Sequence, residues 1–499
     1  MTINRTFFIF GFTVLGWIII NLFIKPGYFD PITPTHSDPF RYVVLSQNVW
    51  EVSSWLTPRP LMIAYLKLIG ITGSQDIFFL LLSLPAVLLI ASTLITTEFL
   101  IKKQLSNLSI ITYLLLAFGS TLFLAIAQYD FGGSIAGILT CIAIIIFKKN
   151  DEKNPEKFWI NLIIPSIFFW TSIETKPTFA VGLLGAIAAL VLIEKFSKKS
   201  LCLLITSLLI VIAVFVKDAM LGSKFIQIDS GSDVYSVALA PVKNITLLFF
   251  YIRAGFPDAL LVGLIISLTY LISSRKFAAI LSIAFISIGT AVPMALLVNR
   301  EWDIYGWYTQ IVLALLFVLA LTFIQEDMQE NKLIKRSLLI SCMVFVTLSS
   351  VVYSFKNNPT SSWTVTNQQY NKNILRSLSS LNLIAGKKYL FANISGPYHP
   401  FKNTKFIKAT DPRITSFDVL LRASERAWND MSHDQTNGLY LSNLILDQYD
   451  YFVILDKTGS IEYLISNHDL LLKPKYEIEA LLVCGTDIKL KQDALSISI

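Results

Sequence analysis

The sequence predicts an α-helical polytopic membrane protein of about eleven spanning helices, followed by an extracytoplasmic α/β domain at the C-terminus. Three observations predict it. Only 15% of the 499 residues are charged and 54% are hydrophobic, with a mean hydropathy of +0.61, whereas a soluble domain carries about a quarter charged residues. Apolar runs near the length of a membrane span recur along residues 1–354. Lys and Arg gather in alternate loops between those runs.

A span needs about 20 mostly apolar residues. The candidates are 7–24, 77–97, 108–127, 158–173, 178–194, 201–217, 257–273, 277–298, 308–324 and 337–354. The run 133–147 is short but strongly apolar, and counts as the eleventh. No Ala precedes residue 64, so 7–24 lacks a small-x-small cleavage site and reads as a retained helix rather than a signal peptide. The stretches 60–71 and 244–254 are too short to cross.

Charge then sets orientation. Leaving 60–71 as an interfacial piece places Lys102 and Lys103, then Lys148, Lys149, Lys153 and Lys157, then Lys195, Lys198 and Lys199, then Arg275 and Lys276, then Lys332, Lys335 and Arg336 on one side. Short loops on the other side hold almost none: Lys176 in 174–177 and Arg300 in 299–307. The positive-inside rule makes the first side cytoplasmic, together with the N-terminus. Loops 25–76 and 218–256 and the C-terminal domain then lie outside. The net charge of +7 is not a nucleic-acid footprint, because residues 355–499 hold 16 Lys/Arg against 14 Asp/Glu and the surplus sits in membrane loops. Cys141, Cys202, Cys342 and Cys484 show no metal-ligand spacing and read as small hydrophobes.

In the first outer loop, residues 42–56 put Tyr42, Leu45, Val49, Val52 and Leu56 on one helical face and polar residues on most of the rest. This is a helix for the membrane surface. Trp50 and Trp55 suit the headgroup zone. Ser37-Asp38-Pro39 is an ordinary helix start. The same Asp38 is also a carboxylate held at the membrane surface.

The string DPFRYVVLSQNVWEVSSWLTPRPLMIAYLKLIGITGSQDIFF resembles the first periplasmic loop and following span of the GT-C glycosyltransferases, nearest the aminoarabinose transferase and protein O-mannosyltransferase branch. In that pattern an acidic residue precedes an Arg-Tyr and an amphipathic helix. QYDFGGS places Asp130 at the family's second acidic position. ETKPTFAVGLLG resembles its Thr-Lys-Gly segment, with Pro177 where Gly is frequent. NREWDIYGWYTQIVLAL resembles the Arg/Tyr-rich start of a late span, with its Arg-Tyr pair broken.

The resemblance implies inverting transfer of a hexosyl or pentosyl unit from a polyprenyl-phosphate carrier to an acceptor hydroxyl on a cell-surface glycan or glycolipid of O-antigen or lipopolysaccharide type. The location implied is the outer face of a Gram-negative inner membrane. Such chemistry needs a base for the acceptor proton and cations for the departing phosphate. Asp38 is the candidate base. Asp130 is a second acid that orients the acceptor or, with Asp38, holds a divalent cation (Mg or Mn). It is also placed to cap the 133–147 span. Lys176, beside Glu174 at an outer boundary, is the candidate phosphate clamp, and equally a snorkelling lysine. Arg41, Tyr42, Arg59, Arg300, Tyr305 and Tyr308 complete the candidate substrate contacts. Arg59 and Arg300 read first as interfacial anchors and only second as clamps. No Walker or Rossmann glycine pattern occurs, which suits a lipid-linked donor.

Residues 355–370 read as a linker to a domain over 371–499. There KKYLFANI and YDYFVILD read as strands, 415–430 as an amphipathic helix, 460–467 as a short helix, and YEIEALLVCG with DIKLKQD as a closing hairpin. Asp447, Asp450 and Asp456 fall near strand ends as turn or cap residues. The alternatives are a polymerase or ligase of the same glycan pathways, and a transporter. A transporter would show internal repeats and charges at span centres, and neither is seen.

Overall fold

A computed structural model describes residues 3–24, 59–72, 75–101, 103–119, 121–153, 158–176, 196–220, 258–274, 302–327, 340–349, six strands between 388 and 496, and isolated positions that include Tyr42, Ser46 and parts of 187–192. The chain divides into two compact units, one of residues 1–29, 53–62 and 82–364, the other of 30–52, 63–81 and 365–499.

The helices are α1 (Ile3–Ile24), α2 (Pro60–Gly70), α3 (Gln75–Ile101), α4 (Asn107–Gly119), α5 (Thr121–Tyr129), α6 (Phe131–Lys153), α7 (Phe158–Thr175), α8 (Lys198–Met220), α9 (Asp258–Ser273), α10 (Trp302–Asp327) and α11 (Ile340–Ser349). Each lies within, coincides with or extends an apolar run read from the sequence, except α2, which is the short piece before the second span. Two described helices, Ile77–Ile101 and Phe131–Lys148, are long and apolar enough to cross a membrane. The run 108–127 falls on α4 and α5, and Ser120 between them lies outside the described residues. The expected span 277–298 and the stretch 244–254 lie outside the described residues.

In the first unit α6 packs on α7, α7 on α8, and α10 on α4, α5 and α9. Polar side chains fix two registers. Ser172 donates to the Ala136 carbonyl at 2.7 Å, and its hydroxyl lies 3.0 Å from that of Thr140, locking α7 antiparallel to α6. Ser109 and Thr322 share a hydrogen bond of 2.8 Å, and the Trp307 indole donates to the Ala117 carbonyl at 3.3 Å, locking α10 antiparallel to α4. Such bonds between apolar helices leave fewer polar groups to desolvate alone. Ala143, Ile144 and Phe147 of α6 meet Phe169 and Ile173 of α7 and Leu203, Val211 and Val214 of α8 in one buried cluster.

The faces turned outward are as apolar as those turned in. Along α8, Leu201, Ile205, Leu208, Leu209, Ile212, Val216 and Met220 are exposed, Ile205 to 58%, while Ser200 and Ser207 are fully buried. At the end read as cytoplasmic, Arg5 donates to Glu98 Oε1 at 2.9 Å and to the Leu105 carbonyl at 2.6 Å, and the Leu105 amide donates to the same Glu98 oxygen at 2.9 Å. Glu98 thus joins α1 to the α3–α4 connection.

In the second unit, Tyr42 is helical and buried, as expected of the apolar face of 42–56, and Ser46 is helical. Ser46 Cβ lies 2.8 Å from where a Cβ on Gly70 would stand, so glycine permits the close approach of the two segments. Tyr65 donates to the Leu81 carbonyl at 2.5 Å, and burial pushes its phenol pKa up. The strands β1 (Lys388–Asn393), β2 (Ser416–Val419), β3 (Tyr451–Asp456), β4 (Glu477–Cys484), β5 (Asp487–Leu490) and β6 (Leu495–Ser496) form one mixed sheet. Its order is β2-β1-β3-β4-β5, with β1 parallel to β2 and β3, β3 parallel to β4, and β4 antiparallel to β5 and β6. The two expected strands and the hairpin are present. One expectation is corrected. Residues 416–419 lie within the stretch read as a helix, but they are a strand, with Ser416 opposite Lys388 and Val419 opposite Phe391. Four residues with Phe and Val two apart satisfy a strand as well as a helical turn, and pairing with β1 decides between them. The remainder of 415–430, the short helix over 460–467, Asp447 and Asp450 lie outside the described residues.

Candidate functional site

Asp130 stands between α5 and α6. Its amide donates to the Ile126 carbonyl at 2.8 Å, closing α5, and its carbonyl accepts from the Ser134 amide at 3.2 Å, opening α6. Its carboxylate Oδ1 accepts from the Gly133 amide at 3.1 Å. This is an N-cap, satisfying a donor that helix geometry would otherwise leave bare.

The cap is also one partner of a buried ion pair. Lys176 Nζ lies 2.8 Å from Asp130 Oδ1, with the side chains 15% and 3% exposed respectively. Lys176 closes α7 through its amide, which donates to the Ser172 carbonyl at 3.0 Å. Because α6 and α7 are antiparallel, the start of one helix faces the end of the other. An acid at the first and a lysine at the second each complement the local helix dipole.

Tyr308 adds the third group. Its hydroxyl lies 3.3 Å from Asp130 Oδ2, 3.1 Å from the Asp130 carbonyl and 3.4 Å from the Ser134 hydroxyl. Aromatic contacts hold it there, by ring centroids: Phe118 meets Phe123 edge-on at 5.1 Å, Phe123 meets Trp307 at a tilt at 5.6 Å, and Trp307 meets Tyr308 edge-on at 5.4 Å. Glycine makes the assembly possible. A Cβ on Gly133 would stand 2.3 Å from Asp130 Oδ2 and 2.7 Å from the Tyr308 hydroxyl, and one on Gly132 would stand 2.7 Å from Met62 of α2.

Glu174 points elsewhere. Both its carboxylate oxygens accept from Lys217 on α8, and Oε1 accepts from the Trp170 indole at 2.9 Å. Arg59 is buried at the head of α2. Tyr305 is on α10 three residues before Tyr308, and only its backbone position is described. Asp38, Arg41 and Arg300 lie outside the described residues. The structure therefore brings together Asp130, Lys176 and Tyr308 of the candidates, and separately pairs Glu174. The sequence reading missed Ser134, Gly133 and Lys217. The Gly-Gly-Ser after Asp130 was the available signal, since two glycines opening a helix mark close approach.

Among the described residues no three His, Cys, Asp or Glu side chains cluster as metal ligands. The Asp130 oxygens face an ammonium, an amide and a phenol, and Asp38, the other carboxylate of the expected cation site, lies outside the described residues. The arrangement can hold an oxyanion or a hydroxyl near a lysine and a tyrosine while a carboxylate keeps both in place. No family model matches the chain, and no curated protein matches it.

Proposed function

We propose that the protein is a membrane-embedded GT-C-type glycosyltransferase, moving a sugar from a polyprenyl-phosphate carrier to an acceptor hydroxyl on a cell-surface glycan or glycolipid. The observation that carries this reading is the meeting of Asp130, Lys176 and Tyr308. These residues come from three separate patches, QYDFGGS, ETKPTF and IYGWYTQ, each selected by its likeness to that superfamily. A chance likeness in three patches gives no reason for their side chains to touch.

The membrane setting is supported by α8, whose apolar stripe faces outward while its serines face the bundle. Water would drive the reverse arrangement, and lipid tolerates this one. The charge pattern supports eleven spans, a cytoplasmic N-terminus and an outer working face. In that orientation the Asp130–Lys176 pair lies at the outer ends of α6 and α7. A boundary position suits a headgroup reaction and speaks against a transporter, whose charges would sit at mid-span.

The reaction balances as a single displacement. The acceptor oxygen bonds the anomeric carbon from the face opposite the phosphate, that carbon's bond to the phosphate oxygen breaks, and polyprenyl phosphate leaves. Asp38 is assigned the acceptor proton. Lys176 and Tyr308 are assigned the phosphate, by charge and by hydrogen bond respectively. Asp130 holds the two donors at the right spacing before the donor arrives. Binding of polyprenyl phosphate to the full-length protein in lipid nanodiscs tests this. Lys176→Gln should weaken it by about tenfold, the loss of one charge-assisted bond, and unchanged binding would remove Lys176 from the phosphate site.

A further inference from the structure

We propose that Lys217 is a positioning residue for the Asp130–Lys176 pair: by occupying Glu174 it keeps Lys176 directed at Asp130. The proposal rests on the reading of that pair given above and adds α8 to the site.

Glu174 lies in the last turn of α7 and Lys176 is the residue just past its end, so the two charges belong to the same helix terminus. The structure sends them to different neighbours. Lys176 turns to Asp130 at the start of α6, and Glu174 turns to Lys217 in the last turn of α8. Glu174 accepts three hydrogen bonds from two groups, the Lys217 ammonium at both oxygens and the Trp170 indole at one. Side-chain exposure rises from 3% at Asp130, through 15% at both Lys176 and Glu174, to 37% at Lys217. The four charges alternate in sign from the bundle interior outward and sum to zero.

Without Lys217, Glu174 would carry an uncancelled negative charge beside Lys176. It would compete with Asp130 for the ammonium and repel an anionic headgroup. With Lys217 in place, Glu174 is electrically silent. The two members of this outer pair therefore differ in what their loss does. Removing Lys217 exposes the carboxylate to Lys176, whereas removing both charges does not.

The test is the rate at which Lys176 is modified by an amine-directed reagent at fixed pH, read by peptide mass spectrometry on full-length protein in nanodiscs. In Lys217→Met a second carboxylate favours the unreactive ammonium, and modification of Lys176 should slow by about tenfold. In Glu174→Gln/Lys217→Met the rate should return to within about twofold of wild type, and Lys217→Arg should also match wild type. An unchanged rate in Lys217→Met would overturn the proposal, as would a double variant as slow as the single one. If Lys217→Met does not fold, Lys217→Gln takes its place: it should slow modification of Lys176 by about tenfold, and an unchanged rate overturns the proposal. The assay uses no sugar donor. The expected pattern without transfer from any carrier would leave the positioning role standing and remove the transferase reading.

Discussion

Lys176 and Asp130, 46 residues apart, meet at 2.8 Å where the end of α7 lies against the start of α6. Each closes or opens its own helix as well as pairing with the other, so the pair is at once a structural joint and the centre of the proposed site. Removing one partner leaves the other charge buried. Lys176→Met should destabilise the protein by about 3 kcal/mol, since a broken buried pair costs more than an intact one contributes. Asp130→Asn/Lys176→Met should cost less than the sum of its single variants, because Asn still caps α6. Thermal unfolding in detergent measures both, and strict additivity would mean the pair is not coupled.

Gly133 is the residue whose side chain the site cannot accommodate. Gly133→Ala places a methyl 2.3 Å from Asp130 Oδ2 and 2.7 Å from the Tyr308 hydroxyl, so the carboxylate must turn away. Transfer should fall by at least about tenfold even where the helix itself gains from alanine. Gly11→Ala on α1 is the control: nothing lies within 4 Å of the added methyl, and stability should hold or rise slightly.

Tyr308→Phe keeps the ring against Trp307 and removes the hydroxyl bonds to Asp130. Its stability cost should be about 1 kcal/mol, typical of one hydrogen bond. Donor binding should weaken while the fold survives. A variant with wild-type donor binding would restrict Tyr308 to a packing role.

The outward stripe of α8 distinguishes lipid from water. Ile205→Lys substitutes a position 58% exposed. Surface substitution in a soluble protein changes stability within about 0.5 kcal/mol, whereas lysine facing lipid costs up to about 2.5–3.5 kcal/mol on insertion scales, the full amount at the helix centre and less towards its ends. Membrane yield of the full-length variant should fall sharply relative to Ile205→Leu. Equal yields would contradict the membrane assignment of this helix.

The helices were legible because apolar runs leave few alternatives once they approach the length of a span. Their ends were less so. α6 runs on to Lys153, well past the apolar run, because Lys148, Lys149, Glu152 and Lys153 are good helix formers that periodicity undervalues. Ser416–Val419 was misread because four residues do not separate a period of two from one of 3.6. Asp130 and Lys176 were legible as ionisable residues at boundaries where charge is costly. That they pair, and that Glu174 instead turns to Lys217, depends on helices brought together by packing, which no local pattern encodes. The Arg5–Glu98–Leu105 joint was invisible for the same reason: its members come from α1, α3 and the connection before α4.

The most direct test of the central claim is sugar transfer from radiolabelled polyprenyl-phosphate donors to extracted surface glycan, comparing wild type with Asp130→Asn in nanodiscs. Asparagine retains the cap and a contact to Tyr308 but releases Lys176. Wild type should transfer, and a normally folded Asp130→Asn should be slower by about a hundredfold, within the range that a positioned charged group supplies. Transfer unaffected by the substitution, or no transfer from any lipid-linked donor, would contradict the account.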